Sequence, residues 1–101
     1  FQPHRYTRTE QLFDDFVKVL MEVDLLILLD IYSASEQPIE GINSEAIAKT
    51  ISKQGHSDVI HLADHNKINQ ILNSKSDHID VLVTQGAGSI SKVCESIIKN
   101  V

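Results

Sequence analysis

The sequence predicts a three-layer α/β fold built on a parallel sheet, and three observations carry that expectation. Amphipathic helical stripes alternate with short apolar runs along the chain. The longest run, Leu25-Leu26-Ile27-Leu28-Leu29, is continuous rather than alternating, and no Asn-Gly turn joins one run to the next. A strand covered on both faces is an unbroken apolar stretch, whereas a hairpin declares itself by its turn residues.

The segment from Phe1 to Tyr6 has the character of a strand end running into a loop, so the chain is expected to begin mid-element. Leu12, Phe13, Phe16, Val17, Leu20 and Val23 then recur at helical spacing, with Thr7-Arg8-Thr9-Glu10 as a capping box at the start. The run Leu25 to Leu29 is the first strand, followed by a polar loop from Ser33 to about Asn43. A second helix begins at Ser44, presents Ile47 and Ile51 on one face, and ends at Gly55. Val59 to Leu62 is a short strand, and Asp64 caps a third helix with Ile68, Ile71 and Leu72 on its stripe. Val81 to Thr84 is expected to be another buried strand, and Gln85 to Gly88 the turn after it. Ser89 is placed to cap a last helix carrying Ile90, Val93, Cys94, Ile97 and Ile98. The expected result is a three-stranded parallel sheet flanked by four helices, with an open edge where a first strand would pair. Right-handed crossovers bring the segments 2–9, 30–43, 63–66 and 85–88 to one edge, the edge where such sheets bind ligands.

A chain of 101 residues, 42% of them hydrophobic and 23% charged, suits one small domain with a single core. A formal net charge of -5 argues against a general nucleic-acid binder, which needs a basic face to displace counterions. One cysteine permits no internal disulfide and no paired-thiol metal site, which suits a reducing cytoplasm. No stretch approaches the roughly 20 apolar residues of a membrane span.

The basic and hydroxyl side chains of His4, Arg5, Tyr6, Thr7, Arg8 and Thr9 are concentrated just before a helix start in an otherwise acidic protein. Arg5 and Arg8, three apart, can turn two planar forks toward one carboxylate or phosphate; equally, they can be solvated arginines paired with surface acids. Asp30 and Tyr32 emerge at the same edge, where the carboxylate can hold an amine or orient an arginine, or simply cap its own loop. Gly86-Ala87-Gly88 is a weak match to a phosphate-binding turn and fits a tight turn as well. No G-x-x-x-x-G-K-[ST] occurs, so this chain carries no ATP-binding P-loop of its own. His61 and His65 span a strand-to-helix junction rather than one helical face, so no metal site is expected. Cys94 falls on an apolar stripe, as an inert buried thiol would.

The string Phe1-Gln2-Pro3-His4-Arg5-Tyr6-Thr7-Arg8-Thr9, followed by Leu12-Phe13-Asp14-Asp15-Phe16, resembles the opening of the last domain of UDP-N-acetylmuramate:L-alanine ligases, a branch of the Mur ligase family. The resemblance continues through Leu28-Leu29-Asp30-Ile31-Tyr32-Ser33-Ala34 with Glu36, Pro38, Ile39, Gly41 and Ser44, and ends at Thr84 to Ile90. It implies a Rossmann-like domain over residues 1–101, truncated at its first strand. It also implies an N-terminal UDP-sugar domain and a central domain binding ATP and Mg2+, both outside this sequence. In such an enzyme ATP phosphorylates the muramoyl carboxylate, and the amine of L-alanine attacks the acyl phosphate. The resemblance places His4, Arg5 and Arg8 in the substrate site, with Asp30, Tyr32, Gly86 and Gly88 lining the same edge. It implies a cytoplasmic enzyme with UDP-N-acetylmuramate and L-alanine as substrates. Two positions depart from the family pattern: Ser35, where glycine is frequent, and Ser89, where Asp or Asn is frequent.

Without the resemblance, a free-standing flavodoxin-like ligand or interaction module fits the lack of a complete catalytic set. A receiver-type phosphoacceptor at Asp30 lacks the acidic pair before the first helix. An open reading frame of a few hundred residues with an upstream G-K-T loop separates the ligase from both.

Overall fold

The five apolar residues Leu25 to Leu29 can bury both faces of a strand only if helices cover both, and this determines the layering. The computed structural model describes residues 1–100. Strands β1 (Leu26–Leu29) and β2 (Val59–Leu62) pair in parallel, with Leu26 opposite Val59 and Leu29 opposite Leu62. Because side chains alternate along a strand, Leu26 and Leu28 enter one core and Leu29 the other. The first core joins them to Val17 and Leu20 of α2 (Phe13–Leu20, preceded by the short α1, Tyr6–Gln11) and to Ile47, Ala48 and Ile51 of α3 (Ser44–Lys53). The second joins Leu29 and Leu62 to Ile68 and Leu72 of α4 (Ile68–Lys75) and to Ile90 and Val93 of α5 (Ile90–Asn100). Helices on both faces of a parallel sheet make the expected three layers.

The expected first helix is divided at Leu12, where the backbone leaves helical geometry (φ -105°, ψ 12°) between α1 and α2. Val23 falls beyond its end and is 41% exposed. Helix α3 starts where the sequence predicts: the Asn43 side chain accepts from the Ala46 N–H at 2.7 Å, and Gly55 follows the end with φ 105°. Asp64 caps a 3-10 turn, His65–Lys67, which runs into α4. Cys94 is half-buried.

The third strand is a correction. Residues 81–84 carry no strand, and Val81 and Val83 are 79% and 72% exposed. The segment Phe1 to Arg5 occupies the position next to β1: the Phe1 nitrogen donates to the Ile27 carbonyl at 2.8 Å, and the Phe1 carbonyl accepts from Leu29 N–H at 2.9 Å. On its far side, Gln2 forms a parallel bridge with Gly86. Below that register, residues 25–27 and 79–84 face each other across a cavity of about 560 Å³. Thr84 and the valines before it thus have no neighbouring backbone to complete a ladder, and β-propensity alone does not hold an unpaired strand.

Ser35 carries a further local cost. It adopts φ 72°, the left-handed region disfavoured by a Cβ. Ser35→Gly is therefore expected to stabilise the fold by about 0.5–1 kcal/mol, after the greater chain entropy of glycine in the unfolded state is subtracted. Chemical denaturation midpoints check this, and an unchanged or lowered midpoint would contradict it.

Candidate functional site

Three of the four predicted edge segments meet. Tyr32 N–H donates to the Pro3 carbonyl at 2.9 Å, and Arg5 N–H donates to the Tyr32 carbonyl at 2.8 Å. This lays His4 beside Tyr32, and their rings stack with centroids 5.7 Å apart and planes 10° from parallel. The turn 85–88 closes from the other side. A Cβ on Gly86 would lie 2.7 Å from the Gln2 carbonyl oxygen, and one on Gly88 would enter the Tyr32 ring. Both glycines are required by close approach, and no phosphate need be invoked. The segment 63–66 forms its own capped turn after β2.

Arg5 stands just before α1 with φ 69° and ψ 143°, a strained backbone for a residue with a side chain. The strain is held by three hydrogen bonds: its N–H to Tyr32, and its carbonyl accepting from Thr9 N–H at 3.2 Å and Thr9 Oγ1 at 2.7 Å. Thr9 is fully buried, so this anchor is fixed. Arg5 and Arg8 are exposed, and among the described residues neither guanidinium forms an ion pair. Both side chains are therefore solvated.

The capping box is also corrected. Glu10 does not close the start of α1; Glu36, from the loop after β1, does, accepting from Thr7 N–H at 3.1 Å and Thr7 Oγ1 at 2.7 Å. The Thr7 hydroxyl, then the Thr7 backbone N–H, then the Tyr6 backbone N–H and least of all the Arg5 charge, hold the Glu36 carboxyl below the usual glutamate range. Asp30 neither caps its loop nor meets an arginine; its carboxylate pairs with His61 at 2.6 Å. Among the described residues no group of three His, Cys, Asp or Glu side chains is placed to hold a metal.

Sequence reasoning gave no role to Gln2. Its side chain is buried; Nε2 donates to the Asp30 carbonyl at 3.1 Å and to Ser89 Oγ at 2.9 Å, and Oε1 accepts from the Ile90 N–H at 3.0 Å. Thus Gln2, rather than the Ser89 hydroxyl, satisfies the first N–H of α5. No local pattern points to a partner 88 residues away.

The Glu36 clamp predicts a pH dependence. A carboxyl whose pKa is lowered on folding contributes stability that is fully present above its unfolded pKa and is lost as pH falls through the folded one. The Tm difference between wild type and Glu36→Gln is expected to be constant near neutral pH and to shrink below the ordinary glutamate range. A difference that is unchanged in acid would remove the carboxylate from this role.

A parallel α/β layer with its loops gathered on one edge is Rossmann-like, here in truncated form. No protein-family model matches the chain. It is 46% identical over 99 residues to the UDP-N-acetylmuramate--L-alanine ligase of Geotalea daltonii (strain DSM 22248 / JCM 15807 / FRC-32), covering 98% of this chain and 22% of that protein. The ligase of the same name from Geotalea uraniireducens (strain Rf4) is likewise 46% identical over 99 residues, again 98% and 22%. That of Geobacter sp. (strain M21) is 45% identical over 98 residues, 97% and 21%. The chain belongs to this ligase family, and it spans about a fifth of the length of the curated relatives it matches. No helix among the described residues is long and apolar enough to cross a membrane.

Proposed function

We propose that this chain is the C-terminal, substrate-closing domain of an ATP-dependent ligase that joins L-alanine to UDP-N-acetylmuramate in peptidoglycan biosynthesis, working in the cytoplasm. The observation that carries the reading is the pair of exposed guanidinium groups, Arg5 on a strained and firmly anchored backbone and Arg8 on α1, neither in an ion pair among the described residues, within a sequence of this family. A planar fork offers two parallel donors to a carboxylate, so the pair suits the carboxylate of alanine or the charge of the neighbouring acyl phosphate. His4 stands beside them, with Tyr32, Gly86 and Gly88 shaping the edge. Asp30 borders it, its carboxylate already engaged by His61.

The residues of this chain do not fit ATP or Mg2+: no P-loop is present, and no ligand cluster is placed for a metal among the described residues. Those groups are assigned to a central domain outside this sequence and the UDP-sugar to an N-terminal one. What this domain supplies is orientation of the amino acid and exclusion of water when it closes over the others.

The test is competence. This chain alone is expected neither to hydrolyse ATP nor to ligate alanine, whereas the full-length protein carrying it does both. Alanine-dependent phosphate release from the purified 101-residue chain would contradict the division of labour.

A further inference from the structure

We propose that Tyr32 is a positioning residue for amino-acid binding, holding His4 in place through its ring while the ring itself is seated on Gly88; the proposal rests on the ligase reading. Tyr32 ends the loop-ward extension of β1, and its backbone is fixed on both sides by Pro3 and Arg5. Tyr32 is 41% exposed, and its hydroxyl makes no hydrogen bond among the described residues. What it does make is an offset parallel stack with His4, centroids 5.7 Å apart, and a contact with the Gly88 backbone too close to admit a Cβ. Two segments from distant parts of the chain therefore converge on the ring that the loop after β1 presents: the loop of His4 and the turn at Gly88.

An imidazole on a loop samples several rotamers, and each must be excluded before it can meet a substrate. A parallel aromatic neighbour removes that freedom without consuming the imidazole nitrogens, which leaves both available to a ligand. Glycine at 88 lets the tyrosine ring lie down against the backbone. The division is between the ring, which positions, and the hydroxyl, which does not.

Steady-state kinetics of the full-length ligase test this. Tyr32→Leu is expected to raise the KM for alanine on the order of 3- to 10-fold, with kcat and the KM for the UDP-sugar near wild type. Tyr32→Phe, which keeps the ring, is expected to retain the wild-type alanine KM. In a His4→Ala background, Tyr32→Leu is expected to add no further loss, because the two side chains act as one unit. Gly88→Ala, which displaces the ring from below, is expected to raise the alanine KM as Tyr32→Leu does. An unchanged KM in Tyr32→Leu, an additive loss in the double variant, or a loss in Tyr32→Phe equal to that in Tyr32→Leu would overturn the positioning role and leave the ligase reading standing. Wild-type alanine kinetics in His4→Ala, Arg5→Ala and Arg8→Ala together would remove that reading, and the positioning role with it.

Discussion

Replacing Arg5 or Arg8 by alanine in the full-length ligase is expected to cost on the order of 2–4 kcal/mol of transition-state stabilisation. On the proposed reading the cost is large because domain closure would take the alanine carboxylate out of water, where a charge-assisted hydrogen bond is strong and a missing partner leaves a buried charge unsatisfied. The loss should appear in the amino-acid step, with binding of the UDP-sugar nearly unchanged. Arg→Lys restores only part of it, since an ammonium cannot reproduce the planar fork. Arg5 allows a sharper test, because its backbone is strained at φ 69°. Arg5→Gly should relieve that strain and raise stability by about 1 kcal/mol while abolishing the benefit of the side chain. Stability and activity would then move in opposite directions at one residue, an outcome a merely structural arginine does not give. Alanine-varied kinetics beside denaturation midpoints decide the matter; normal alanine kinetics in both alanine variants would return the pair to ordinary surface charge.

Gln2→Leu is expected to destabilise the fold by on the order of 2–4 kcal/mol, the second large effect. The leucine has nearly the volume of the glutamine, so the loss isolates hydrogen bonding. It strands the Asp30 carbonyl, the Ser89 hydroxyl and the Ile90 N–H that the amide now satisfies. Gln2→Glu should be intermediate: a carboxylate still accepts from Ile90 but meets the Asp30 carbonyl with an acceptor in place of a donor. Equilibrium denaturation of the three proteins gives the ranking, and a Gln2→Leu midpoint equal to wild type would show the amide to be dispensable.

The fold was legible where burial dictates pattern. Leu26 to Leu29 had to lie between two layers because both faces are apolar, and the stripes of α3, α4 and α5 follow their buried residues directly. The third strand misled because Val81 to Thr84 has strand character, but a strand also needs a neighbour, and its neighbour at that register is a cavity. The site was legible as a neighbourhood, since parallel topology brings His4, Tyr32 and Gly88 to one edge. Its wiring was not. Glu36 clamping Thr7 and His61 holding Asp30 are pairings between distant residues, and nothing in local spacing marks one acid over another as the partner.

The bridge between Gln2 and the start of α5 also sets an order of assembly. The unit of β1, α3 and β2 closes over much nearer stretches of sequence, whereas the last helix must find a side chain 88 residues away, with a correspondingly larger loop-closure entropy. Docking of α5 should therefore be the late event in folding, and its amides the first to exchange with deuterium from the native state.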